Sequence, residues 1–226
     1  MTSGSYGWTL HSRMNELSYT LLSDGSSDRA LQPIIHWALE HNGVEGAIQG
    51  EWADLRRLRQ PPSGLSGRVE MAVRLYPCDI LFVHRDAEGE SRQRRVDEIR
   101  RAVDTVDWDG FPPYVCLVPV RMQEAWLLID EAAIRHAAGN PLGSMPLRLP
   151  SVSSLESLPD PKGVLHDLLR EASGLSKSRL RSFSYRSKAH AIGRHMKDLS
   201  VLRNLPAFRS FEDDLRRVLR DGSWLS

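Results

Sequence analysis

The chain has 226 residues, 41% of them hydrophobic and 26% charged, with a formal net charge of +1. This is an ordinary globular composition, and no apolar run reaches the ~18 residues of a membrane span. The N-terminus has no signal-peptide core, so no membrane partner and a cytoplasmic location are expected.

Residues 1–16 begin with a Ser/Gly-rich run, Met1 to Arg13, and read as a disordered leader. Leu17 to Ser23 reads as the first strand. It stops at Asp24-Gly-Ser-Ser-Asp28, where Gly25 permits a tight turn and Ser26 or Ser27 can cap a helix. That helix, about Ser27 to His41, carries Leu31, Ile34, Ile35, Ala38 and Leu39 on one side. Pro33 suits it only in the first turn or two. A short strand at Val44 to Ile48 and a short helix at Trp52 to Leu58 follow. Pro61-Pro62-Ser63-Gly64 breaks the chain, and Leu65 to Leu75 reads as a helix.

Asp79 to His84 is the most strand-like stretch. Ile80, Leu81, Phe82 and Val83 form the continuous apolar run of a central parallel strand. Acid follows it, at Asp86, Glu88 and Glu90. The next helix, Glu90 to Val106, repeats Val96, Ile99, Ala102, Val103 and Val106 at helical spacing. Tyr114 to Val120 is a third strand and Met122 to His136 a further helix. Cys78 and Cys116 lie in apolar strand-like runs and read as packing thiols of a reducing compartment.

Strands alternating with helices predict an α/β domain over residues 17–139, with a mostly parallel sheet and helices on both faces. Residues 140–226 read as a loop and a mainly helical, basic extension packing on that core. Asn140 to Pro161 is the Pro/Ser-rich loop, Pro161 to Ala172 a helix, Lys188 to Asp198 partly helical, and Ser210 to Leu219 an amphipathic helix.

Charge is unevenly placed. Leu175 to Leu205 holds eight bases and one acid, a local charge of +7 that leaves −6 for the rest. Arg179, Arg181, Arg186, Lys188, Arg194 and Lys197 suit a nucleic-acid backbone, with Phe183 and Tyr185 interleaved to stack on bases. A charged surface, or a face for an acidic partner, is the equal alternative.

Acids also fall at the carboxyl ends of three predicted strands: Asp24 and Asp28, then Asp86 and Glu88, then Glu124. In a parallel sheet those ends share one edge. Carboxylates converging there repel unless a divalent ion neutralises them, and all-oxygen donors suit Mg²⁺ or Mn²⁺. The plain alternative is a set of first-turn acids favoured by helix N-termini. His84 reads as a satisfied core histidine. Arg85 is placed either to pair with a carboxylate or to touch phosphate. His190 and His195 lie too far apart for helical zinc ligands.

An acid with Gly after the first strand, then Asp-x-acid after a later one, resembles the Toprim domain of topoisomerases, primases and OLD-type nucleases. The usual pattern there is Glu, then Asp-x-Asp. Asp24 and Asp86-Ala-Glu88 keep the carboxylates and change their reach. Val118 to Leu128, with Glu-Ala-Trp-Leu-Leu at its centre, and Pro161-Lys162 at a helix start resemble small Toprim-like proteins encoded beside AAA-type ATPases in phage-defence loci. The resemblance spans roughly Leu17 to Ala172.

It implies a Mg²⁺- or Mn²⁺-dependent nuclease, or a subunit derived from one, acting on DNA ahead of RNA with an AAA-type ATPase partner. Asp86 and Glu88 would hold the ion, and Asp24 would share it or act as a base. Asp28 and Glu124 would complete a second metal position, and Lys162 would stabilise charge on the scissile phosphate. A catalytically silent Toprim-like module and an unrelated phosphotransfer or receiver-like domain are the rivals. Lys162 after a long loop counts against a receiver. The chain has no Walker-type phosphate loop, so ATP use would belong to another polypeptide.

Overall fold

The computed structural model describes residues 16–222 together with Trp224 and Leu225. Of the leader expected over 1–16, residues 1–15 lie outside the described residues, and Glu16 opens the first strand.

Four strands form one all-parallel sheet: β1 (Glu16–Leu22), β2 (Ala47–Trp52), β3 (Ile80–His84) and β4 (Tyr114–Leu117). Their order is β2-β1-β3-β4. Tyr19 stands opposite Ile80, and Leu81 opposite Tyr114. β3 is central, and every one of its residues is buried. Side chains alternate across a strand, so Ile80 and Phe82 face one core layer while Leu81 and Val83 face the other.

The larger layer holds α1 (Gln32–Glu40), α4 (Glu131–Ala138), α5 (Pro161–Ser173), α7 (Tyr185–His195) and α8 (Pro206–Asp221). The smaller layer holds α2 (Gly64–Leu75) and α3 (Arg92–Asp104). The short α6 (Lys177–Leu180) buries no residue. Helices on both faces of a parallel sheet explain why β3 reads as an unbroken apolar run. Among the described residues no helix is long and apolar enough to cross a membrane.

Several elements depart from the pattern read in the sequence. The helix expected over Ser27 to His41 is a 3-10 helix, Ser26–Leu31, followed by α1. Pro33 falls in the first turn of α1, where a missing N–H breaks no helical bond. The helix expected over Met122 to His136 also divides, into a 3-10 helix at Gln123–Leu127 and α4, where Asp130 accepts a hydrogen bond from the Ala133 N–H. The second strand lies at Ala47–Trp52 rather than Val44 to Ile48, which displaces the short helix to Leu55–Arg57. β2 is a largely exposed edge strand, so hydrophobic period marks it poorly. Gly50 is needed there, because a Cβ would sit 2.3 Å from the Tyr19 ring.

Residues beyond 140 share the larger core layer. Phe208 and Phe211 of α8 lie 5.2 Å and 6.2 Å from the Trp126 ring, and Phe211 lies 6.2 Å from Phe82 of β3. Phe211→Ala should therefore destabilise the whole fold, by about 3–5 kcal/mol. The expected result is a lower midpoint in urea with a single transition; a separate early transition would show that α8 melts alone.

An acidic cavity at the carboxyl edge of the sheet

From β1 the chain crosses to β2 on one side, while β3 lies on the other side of β1. The crossovers diverge between β1 and β3. That divergence opens a crevice beyond the strand ends, the usual ligand position in an open α/β sheet. A cavity of about 260 Å³ occupies it, and Asp24, Asp28, Asp86, Glu88, Glu124 and Lys162 all line it. The acids read at three separate strand ends thus meet in one place.

Asp28 is buried in the 3-10 turn after β1. It accepts hydrogen bonds from the Gly25 N–H (2.8 Å), Ser27 Oγ (3.0 Å) and Gln123 Nε2 (2.8 Å). It is the first-turn acid of that 3-10 helix, and it also lines the cavity. Beyond β3 the backbone keeps pairing with the β4 side: Arg85, Ala87 and Glu88 donate to the carbonyls of Leu117, Pro119 and Arg121. Glu88 (φ 50) and Arg121 (φ 67) both take the left-handed conformation without being glycine. Such strain costs on the order of 1 kcal/mol per residue and is tolerated where the surroundings over-determine it. This extended pairing places Asp86 so that its Oδ1 accepts the Gln123 N–H at 2.9 Å.

His84 is buried, with Nδ1 3.0 Å from the Leu117 carbonyl. A carbonyl only accepts, so Nδ1 carries the proton. Nε2 is left facing Asp86 at 3.5 Å and Asp28 at 4.0 Å. The histidine is a core residue, as expected, and also a wall of the site.

Two of the predicted acids are differently placed. Asp24 is half exposed and paired with Arg68 of α2 and, at 3.2 Å, with Arg85. Arg85 also reaches Glu98 at 3.3 Å, so it is a carboxylate partner. Glu88 is 63% exposed at the cavity mouth, 3.7 Å from Arg95. Glu124 is buried, whereas Lys162 stands exposed in the first turn of α5. The Tyr185 hydroxyl is buried close to Glu124, and burial foremost, with Glu124 adding, raises its proton affinity.

Burial dominates the electrostatics. It pushes the Asp86 carboxyl up to about 6, and repulsion from Asp28 and Glu124 adds to this against the opposing pull of His84 and the Gln123 N–H. Burial also raises Glu124, with Asp28 adding, while its backbone N–H contact and Lys162 oppose. Gln123 is 3% exposed, and its Oε1 has no hydrogen-bond partner. Repelling carboxylates beside an unpartnered oxygen fit a hard cation by donor type. Their spacing is less complete: among the described residues no group of three or more His, Cys, Asp or Glu is placed to hold a metal ion.

A second cavity, of about 220 Å³, adjoins the first and shares Glu124 and Lys162 with it; Arg186 lines the second and not the first. Arg194 and Lys197 line a larger groove of about 810 Å³. Arg179, Arg181 and Lys188 line none of the three. Phe183 and Tyr185 pack against the core layer instead of standing free, and the Tyr185 ring lies 5.0 Å from that of His166. Sequence reading missed Gln123, whose only signal is its place beside Glu124. It also missed Arg68, which no local pattern connects to Asp24. Comparison with protein-family models, curated proteins and solved structures gives no match to this chain.

The raised Asp86 carboxyl has a consequence for stability. The folded chain binds this proton more tightly than the unfolded chain, whose Asp has the ordinary value of 3.8. Stability contributed here is present at low pH and is lost as pH rises from about 4 to about 6. Asp86→Asn keeps an acceptor for the Gln123 N–H and removes the titration. The variant should gain on the order of 2 kcal/mol at neutral pH and lose that slope. Urea denaturation across the window reads both, and an unchanged slope would contradict the assignment.

Proposed function

We propose that this chain is a Toprim-like, Mg²⁺- or Mn²⁺-dependent nuclease, or a subunit derived from one, acting on nucleic-acid phosphodiesters. One observation carries the reading: acids from three strand ends, with Lys162 beside them, line a single cavity at the divergence of the crossovers. The ATPase partner and the setting in phage defence follow from the resemblance of Val118 to Leu128 and Pro161-Lys162 to Toprim-like proteins.

Asp86 and Asp28 would hold the ion, with Gln123 Oε1 the unpartnered oxygen between their segments. A divalent cation bound there supplies Lewis-acid stabilisation of a phosphoryl oxygen and a more acidic water. Asp24 is poorly suited as the base, because two guanidiniums already stabilise its charge. Glu124 suits that role better: its proton affinity is raised, and it lines the cavity with Lys162. Lys162 offers positive charge to the phosphate as negative charge develops. Glu88, at the mouth, screens the approach.

A silent module is the second reading, favoured by the two arginines on Asp24 and the unclosed carboxylate set. Plasmid and single-stranded DNA incubated with Mg²⁺ or Mn²⁺ separate the two. The nuclease reading expects cleavage by the native chain and none by Asp86→Ala. It also expects Mg²⁺ to raise the native melting temperature and leave that of Asp86→Ala unmoved. No cleavage by either chain, with no thermal response to the ion, leaves the silent module.

A further inference from the structure

The bases of the C-terminal region divide into two sets. In α7, Arg186, His190 and Arg194 recur every fourth residue and so share one helix face, and Lys197 follows just past the helix end. Arg186 and His190 line the cavity beside the acidic one; His190, Arg194 and Lys197 line the larger groove. The stripe from Arg186 to Arg194 is about 12 Å long at helical rise. It begins where Glu124 and Lys162 line the shared wall.

Arg29 of the 3-10 turn lines the same groove, and among the described residues Glu40 is the one acid lining it. Most arginines elsewhere are neutralised: Arg68, Arg85, Arg95, Arg135 and Arg203 each bind a carboxylate. Arg29, Arg186, Arg194 and Lys197 have no ion-pair partner among the described residues. Burial foremost, with Arg29 and Arg194 adding and Asp28 opposing, lowers the proton affinity of His190 in their midst.

At Gly193 a Cβ would sit 3.0 Å from the Ala30 carbonyl and 3.1 Å from Pro33 Cγ, so α7 lies directly on the Ser26–Leu31 turn and α1. It also packs against α4 and α5. A helix embedded in this way is not free to enter the major groove of a duplex, as a recognition helix does. Its exposed basic stripe matches a single phosphodiester chain lying along it.

We propose that the α7 stripe is a track for one strand of nucleic acid, held by its phosphates and led into the acidic cavity. This rests on the nuclease reading for what happens at the track's end and on its own geometry for binding. Tyr19 and Trp37, which line the groove, are buried, so the track engages backbone in preference to bases.

The test is fluorescence anisotropy with labelled oligodeoxyuridylate and oligouridylate in EDTA. Arg186→Ala/Arg194→Ala/Lys197→Ala removes three exposed cations; Lys177→Ala/Arg179→Ala/Arg181→Ala removes as many away from the track. The first variant should bind about tenfold or more weaker, with its salt slope reduced by about 2, from 0.7 per lost phosphate contact. The second should match the native chain, and a duplex of equal length should bind at least about tenfold weaker than the single strand. The tighter of the two oligonucleotides identifies the sugar.

Equal loss in both variants, duplex binding as tight as single-strand binding, or displacement by polyglutamate at equal charge would overturn the proposal. Without a divalent ion the assay is blind to hydrolysis. Stripe-dependent binding without cleavage in the earlier assay sinks the nuclease reading alone; cleavage without stripe-dependent binding sinks the track alone.

Discussion

Gln123 ties the site together. Its backbone N–H binds Asp86, and its side-chain amide binds Asp28, two carboxylates far from it in the chain and from two other strand ends. Hydrogen bonds to charged groups are worth about 1.5–3 kcal/mol each. Withdrawing a carboxylate from water costs several kcal/mol. The bonds offset part of that cost for Asp28, which has three donors. Asp86 has the Gln123 N–H and a histidine at 3.5 Å, and the shortfall appears in its raised proton affinity.

The far end of the chain keeps Gln123 and Glu124 where they are. Both sit in a 3-10 helix that is a poor structure on its own, since such helices have weak hydrogen-bond geometry. Trp126, in the same turn, is fully buried against Phe208 and Phe211 of α8. α8 is in turn tied to the end of α1: Glu212 is buried, accepts from Asn42, and pairs with Arg203 and Arg216. Arg203 also lies over the Trp37 ring. The acid side chains are therefore placed by aromatic packing, and that packing runs through residues well past the α/β alternation.

What the sequence made legible was what its local physics controls. The β3 run and the helical period of α3 follow from burial on two faces and one, so they stand near where the pattern puts them. The parallel sheet follows from the alternation of strand and helix. β2 did not show its true register, because an exposed edge strand has no apolar face to mark it. The 3-10 segments read as full helices, because three-residue and four-residue spacings look alike over one turn. At the site, the acids were visible as residue types at strand ends. The partners that decide their charge were not: Arg68 meets Asp24 across 44 positions, and Gln123 meets Asp28 across 95.

Those partners redraw the acid set that the Toprim resemblance implies. Asp24 and Glu88, the two positions that depart from its pattern, are the two most exposed, and each faces arginine. A carboxylate already facing guanidinium gains less from a further cation. Asp28, Asp86 and Glu124 have the opposite character: they are largely withdrawn from water, and among the described residues no arginine pairs with them. Buried negative charge without a strong counter-charge is what a divalent ion relieves most. Under the proposed reading, an ion would be held by Asp86, which the usual pattern names, together with Asp28 and Glu124, which that pattern alone would rank second.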